Sequence, residues 1–369
     1  MTRVGIMTFL HNGNCGSTLQ ACALQRAVRS LGLEAVHIDY APDRAEQVRN
    51  LIASGNSPAL ILDSLRRRHG RGGDAREGFA AFYRDHMELT ARCGNHAALR
   101  RAAAEFDILL CGSDQVWSPV WLNPAYFLDF AGDLPRVAYA CSLGVKGAIP
   151  ARKARRMAKL IRPFRAVSVR EEEGAALLEG LLPGLRAGIM PDPVFLMTPE
   201  EWRALAGNPR PAGTLVTYFL GEKPGTLERA AEEAARRGLA LRVLGMTTQA
   251  RSLPDTLPAP DPLSFLREIA AADTVATDSF HGAALAALLG RRVMAEKRWD
   301  DADPASKNSR VDQLRRHLNL PSQGVWEPGK EQEERAARLR EQGLGYLRRS
   351  LTGKAVSGSA GPALPAAAK

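Results

Sequence analysis

The sequence predicts an α/β protein with parallel sheets, divided into two domains. Short apolar runs alternate with stretches of helical periodicity, the rhythm of strand–helix–strand units. Several of those runs end in turns rich in Gly, Ser, Asn or Asp that open directly onto a helix, as the carboxyl ends of parallel strands do. At 369 residues the chain is too long for one ordinary core.

In order, residues 4–9 read as a first strand, and the loop 11–16 leads to a helix from about Ser17. Leu24, Val28 and Leu31 recur at helical spacing there, and Gly32 is a natural stop. Residues 34–39 are a second strand; 42–100 read as irregular and helical in parts, with a Gly/Arg-rich loop at 68–74. The parallel pattern resumes with strands at 106–111, 137–143 and 166–169 and helices at 151–161 and 171–182. Residues 187–190 followed by Pro191-Asp192-Pro193 end the first domain, because two prolines in three residues stiffen a crossover. The second unit has strands at 215–220, 239–244, 274–277 and 292–295. Its helix at 262–271 is capped by Asp261 with Pro262 at the first position. Helices at about 310–318 and 331–349 follow. The expected division is 1–195, 196–330, a C-terminal helix at 331–352 and a disordered tail at 353–369, rich in Ala, Gly, Pro and Ser.

Hydrophobic residues make up 45% and charged residues 24%, as in soluble globular proteins. No apolar run approaches the roughly 18–20 residues of a membrane helix. The N-terminus reads as a strand and not a signal peptide. Five cysteines show neither CxxC nor zinc spacing, which suits reduced thiols and a cytoplasmic location. The net charge of +10 is uneven: eight Arg and Lys fall between residues 152 and 170 without one acid. Such a cluster suits an anionic membrane face, a phosphorylated ligand or a plain solvated helix face. No zinc finger, RRM-like motif or helix-turn-helix supports nucleic acid.

The expected chemistry lies beside His281. Asp278-Ser279-Phe280-His281-Gly282 joins a strand end to a helix start, where free amide N–H groups and the helix dipole favour an anion. Imidazole moves a proton near neutral pH, and Gly282 permits close approach. Three other turns are candidates. Asn14, Gly16 and Ser17 sit in the first strand–helix turn, which is neither GxGxxG nor a P-loop. Ser113, Asp114 and Gln115 end the strand at 106–111 and can orient sugar hydroxyls or, as an alternative, cap the next segment. Arg170 follows the strand at 166–169; an arginine there holds phosphate or carboxylate, or forms a surface ion pair. Arg310 adds a cation at a later helix start.

Taken in order, these segments resemble the polysaccharide pyruvyl transferase family. The matching stretches include NGNCGS at 12–17, GSDQVW at 112–117, YFLDF at 126–130 and AYACSLG at 138–144. SVREEEG at 168–174, DPVFLMTPEEW at 192–202, TDSFHGAALAALLGRR at 277–292 and NSRVDQL at 308–314 complete the set. The resemblance implies two Rossmann-like domains facing a central cleft, similar to glycosyltransferases of the B type. It also implies transfer of a pyruvyl group from phosphoenolpyruvate to two sugar hydroxyls of a surface-glycan precursor, giving a cyclic ketal without cofactor or metal. Under it, His281 is the general acid or a donor to the departing phosphate, and Asp114 deprotonates or orients the acceptor. Arg170 and Arg310 suit the donor's anionic groups; Asn14, Gly16, Ser17, Ser113, Gln115, Asp278, Ser279 and Gly282 line the substrates. Relatives commonly carry Arg two residues before the histidine, where this chain has Ser279; either Lys297, Lys307 or Arg310 replaces it, or the donor is a different one.

Two other readings make different demands. A glycosyltransferase of the same architecture would bind a nucleotide sugar and ignore phosphoenolpyruvate. A non-catalytic binder of anionic glycan or of the inner membrane face would bind in a salt-sensitive way without needing His281.

Overall fold

The alternating runs fold as two parallel sheets, each flanked by helices, so that two Rossmann-like lobes face one another. The computed structural model describes residues 1–53, 73–145, 147–253, 255–299, 309–321 and 324–353. In the first lobe β1 (Arg3–Met7), β2 (Glu34–His37), β3 (Ile108–Cys111), β4 (Arg136–Cys141), β5 (Phe164–Val169) and β6 (Gly188–Ile189) pair in the order β2-β1-β3-β4-β5-β6. Their helices are α1 (Cys15–Ser30), α2 (Arg44–Ala53), α3 (Gly73–His86), α4 (His96–Ala103), α5 (Ala151–Ile161) and α6 (Glu172–Leu181). In the second lobe β7 (Thr214–Tyr218), β8 (Ala240–Val243), β9 (Thr274–Thr277) and β10 (Arg292–Ala295) pair in the order β10-β9-β7-β8. Around them run α7 (Pro199–Leu205), α8 (Thr226–Arg236), α9 (Thr248–Arg251), α10 (Pro262–Ala271), α11 (Phe280–Leu288), α12 (Ser309–Leu318) and α13 (Lys330–Thr352).

Both sheets share one winding: the second strand lies outside the first, and the third lies on the first strand's other side. The order in which strands are added therefore reverses between β1 and β3 in one lobe and between β7 and β9 in the other. Turns leaving the carboxyl ends of such strands diverge and leave a crevice. Four turns, at residues 8–14, 112–117, 219–225 and 278–279, thus frame the gap between the lobes.

The lobes do not merely touch. One apolar core joins Leu19 and Phe79 of the first lobe to Phe265, Leu266 and Leu285 of the second. The crossover between β6 and β7 spans residues 190–213 and carries a 3-10 turn, Pro193–Leu196, that packs on α1. Helix α13 begins beside α12 and returns to the first sheet, where Tyr346 donates to the Ala138 carbonyl at 2.8 Å. Its Leu347 and Leu351 are buried with Val4, Ile6 and Val137.

Local departures from the sequence reading are small. Helix α1 starts at Cys15, two residues early, because Asn14 accepts the Ser17 amide and caps it. Strand β5 starts at Phe164 because pairing with β4 extends it. Among the described residues, 42–103 contain three regular helices, α2 to α4, where the sequence predicts irregular chain that is helical in parts. Helix α7 was not anticipated, although Thr198 and Glu201 form a reciprocal capping box that the sequence carries. Residues 68–72 of the expected Gly/Arg loop, and 354–369 of the expected tail, lie outside the described residues. Among the described residues no helix is long and apolar enough to cross a membrane.

Candidate active site

The four divergent turns enclose a cavity of about 530 Å³ between the lobes. A cavity of this size suits a small donor together with part of a sugar. Asn14, Ser17, Asp114 and Gln115 reach it from the first lobe, and Ser279, His281 and Arg310 from the second. Seven of the twelve residues singled out from the sequence therefore meet in one space.

On the first-lobe wall, Asp114 is the central acceptor. Its backbone is held at φ +67°, a region that L-residues rarely occupy and that recurs at functional sites. Gly112 makes the turn possible, since a Cβ there would lie 2.0 Å from the Tyr139 carbonyl oxygen. The Asp114 carboxylate accepts the Ser17 hydroxyl on one oxygen and the Gln115 amide, at 2.9 Å, on the other. Burial pushes this carboxyl up, but His281, Arg170 and the Ser17 hydroxyl outweigh it and hold it below the usual range.

On the second-lobe wall, Ser279 caps α11 by accepting the Gly282 amide, so His281 stands in the first turn of that helix. Its ring packs on α1 at Gly16, where a Cβ would fall 2.5 Å from His281 Cβ, Cγ and Nδ1. Glycine is thus required at 16 for a helix of one lobe to meet a helix of the other. His281 Nε2 lies 3.3 Å from an Asp192 oxygen, off the line of a hydrogen bond.

Behind this wall sits a knot of buried charge. Arg170 donates to Asp192 at 2.5 Å and to Glu171 at 3.3 Å, lies 3.9 Å from Asp114, and stacks 4.6 Å above the Phe280 ring. Burial alone would lower its affinity for the proton; Glu171, Asp192 and Asp114 raise it instead, so Arg170 stays charged. Asp192 is pulled down to about 2, burial being outweighed by His281 and Arg170. Arg310 runs the other way, lowered to about 10 by burial and by repulsion from Arg170. Arg170 Nη2, Arg310 Nε and His281 Nε2 are buried and make no hydrogen bond among the described residues.

Five sequence expectations are corrected here. Arg170 does not line the main cavity; carboxylates of its own lobe and the Phe280 ring wall it in. Ser113 turns inward and donates to the Ala140 carbonyl at 2.5 Å. Gly16 and Gly282 serve packing and the helix start, and neither lines the cavity. The Asp278 carboxylate is occupied by the amides of Leu220 and Gly221, at 2.8 and 2.9 Å, and by Arg298.

The cation that sequence reading missed is Arg298. Its Nε and Nη2 grip Asp278 at 2.9 and 3.0 Å, its guanidinium lies over Trp299 at 4.8 Å, and it lines the cavity. It stands against the residue next to Ser279, which is the place where the missing arginine was expected. A basic and aromatic pair just past the end of a parallel strand was the available signal. Lys297 does not line the cavity, and Lys307 lies outside the described residues. Asp192 was read only as a stiff crossover. On the first-lobe side, Phe9, Trp121 and Tyr126 give flat apolar faces, while Asn12 and Asn123 add amides between them.

Residues 14–295 match the family described as "Polysaccharide pyruvyl transferase". No curated protein matches the chain. Among solved structures, the chain is similar to the UDP-GlcNAc 2-epimerase of Neisseria meningitidis at 11% identity and TM-score 0.48, with 96% of this chain and 100% of that one covered. It is similar to the UDP-GlcNAc 2-epimerase of Methanocaldococcus jannaschii at 10% identity and TM-score 0.44, with 92% and 99% covered. The E. coli ADP-heptose LPS heptosyltransferase II matches at 12% identity and TM-score 0.33, with 79% and 83% covered. Similarity of this degree says nothing about the reaction.

Proposed function

The chain belongs to the polysaccharide pyruvyl transferase family, and on that premise we propose how its inter-lobe cavity carries pyruvyl transfer from phosphoenolpyruvate to sugar hydroxyls. The observation that carries the assignment is the set of donors unmet among the described residues: Arg310 Nε and His281 Nε2, with Arg170 Nη2 behind them. Buried N–H groups without acceptors are costly, and two mutually repelling guanidiniums add to that. A small polyanion relieves both. Arg298 adds a second guanidinium to the cavity lining, held by Asp278 through Nε and Nη2.

In this reading the donor's phosphate and carboxylate lie against Arg298, Arg310 and the start of α11. Asp192 lies 3.3 Å from Nε2 of His281 and steadies the ring beside the donor. His281 protonates the donor methylene carbon, the C–C double bond becomes a methyl group, and positive charge develops at the carbon bearing phosphate. The acceptor lies along Trp121 and Tyr126, with one hydroxyl on Asp114 and Ser17. As that hydroxyl attacks the cationic carbon its proton is released through Asp114 and restores the one His281 gave up. A second sugar hydroxyl then replaces phosphate, whose leaving oxygen takes that hydroxyl's proton. The products are a pyruvate ketal and inorganic phosphate.

We place the acceptor among surface-polysaccharide or glycan precursors, carried on a lipid or nucleotide, and the enzyme in the cytoplasm. Five buried free cysteines suit that reducing compartment. The test is to incubate the full chain with phosphoenolpyruvate and lipid- or nucleotide-linked sugars. Phosphate release coupled to a pyruvate ketal on the sugar is expected. Tight binding of a nucleotide sugar with no response to phosphoenolpyruvate would select glycosyl transfer instead.

A further inference from the structure

Helix α5 presents a charged face that no acidic side chain answers among the described residues. Its buried side, Met157 and Ile161, packs into the first-lobe core. On the other side Arg152, Arg155, Lys159 and, just beyond the helix, Arg162 are exposed, and Arg156 is half-buried. None of these five makes an ion pair among the described residues. Between Asp133 and Glu171 the chain has no acidic residue. Lys153 ties the first turn of α5 to the next feature, donating to the Pro119 and Val120 carbonyls at 2.8 and 3.4 Å. In that loop Val120 and Trp121 are 47% and 49% exposed, among the few large apolar side chains left in water. Trp121 also lines the inter-lobe cavity.

A helix face of five cations without ion pairs among the described residues, beside an exposed tryptophan and valine, has the composition of an interfacial membrane contact. The cations meet anionic headgroups, and the aromatic ring sits at headgroup depth. We propose that α5 and the Val120–Trp121 loop dock on an anionic lipid bilayer, bringing the cavity mouth to the membrane surface. A nucleic acid would use the same charges but has no need of the exposed valine. A consequence, resting on the proposed pyruvyl transfer, is that a lipid-carried acceptor reaches Trp121 without leaving the bilayer.

Sedimentation of the full chain with vesicles tests this. Binding to phosphatidylcholine vesicles containing phosphatidylglycerol is expected, little binding to phosphatidylcholine alone, and loss of binding with added salt. Each neutralised cation should weaken it about five-fold, so Arg152→Ala/Arg155→Ala/Lys159→Ala should weaken it on the order of a hundredfold. Trp121→Ala should weaken binding independently of salt. The docking idea is overturned by vesicle binding that ignores phosphatidylglycerol or survives the triple substitution. Tighter binding to single-stranded RNA that is indifferent to Trp121→Ala would overturn it too. The rise in Tm on adding phosphoenolpyruvate should persist in the triple variant. If the wild type shows no such rise, the donor site fails while the docking result stands on its own.

Discussion

His281 and Asp192 approach within 3.3 Å from opposite lobes, which makes them the most exacting residue-scale test. His281→Ala should lower phosphate release by about 10²–10⁴-fold, the range for a positioned acid, with the protein still folded by circular dichroism. Asp192→Asn removes the carboxylate that orients the imidazole and leaves Arg170 short of an ion pair. It should reduce kcat more than it raises KM, and should destabilise the protein by about 3–5 kcal/mol in urea titrations. The acid limb of stability follows from the same residue. Asp192 is pulled from its ordinary 3.8 down to about 2, so its contribution is present above about pH 4 and is lost as the pH falls through about 2. A second titration belongs to His37, fully buried, with Nε2 donating to the Ala21 carbonyl. Burial lowers it from 6.5 to about 4. Its contribution is therefore full above pH 6.5 and is lost as the pH falls toward about 4, where the folded state too takes the proton. Thermal melts from pH 7 to pH 4 should show a fall in Tm that is smaller in His37→Gln.

Among the elements, the turns leaving β1, β3 and β9 were legible because Gly, Ser, Asn and Asp interrupt apolar runs there. What the sequence could not supply is the direction in which each side chain turns. Asp278 and Asp114 look alike on paper, each an acid just past a buried strand. Asp278 is consumed by two amides 57 and 58 residues away and by Arg298, while Asp114 faces the cavity. Arg170 likewise met its carboxylate 22 residues on, across β6, a pairing that no local pattern announces. Helix–helix contacts were equally silent: Gly16 read as part of a ligand loop, yet its lack of a side chain admits His281. Gly16→Ala should destabilise the fold by about 1–3 kcal/mol in urea titrations and abolish activity, whereas a residue that merely touched ligand would leave stability unchanged. At the far end, α13 was anticipated as a helix, but its return to the first sheet was not. Leu347→Ala, at a fully buried position against that sheet, should cost about 2–5 kcal/mol, measured the same way.

The whole molecule is two lobes of the same winding, set with their switch points facing. A shared apolar core joins them, and α13 runs from the second lobe back onto the first sheet. Within the cavity, charge is arranged in depth. Arg170, Glu171 and Asp192 form a buried foundation, His281 and Asp114 stand on it, and Arg298 and Arg310 face the space where a polyanion fits. The central claim is that those two arginines, one of them in place of the arginine absent at Ser279, bind phosphoenolpyruvate. Isothermal titration of phosphoenolpyruvate into wild type, Arg298→Ala and Arg310→Ala tests it most directly. Each substitution removes a charge-assisted contact worth about 1.5–3 kcal/mol and should weaken binding by roughly 10–100-fold. Unaltered affinity in both variants, or no heat of binding in the wild type, would contradict the account.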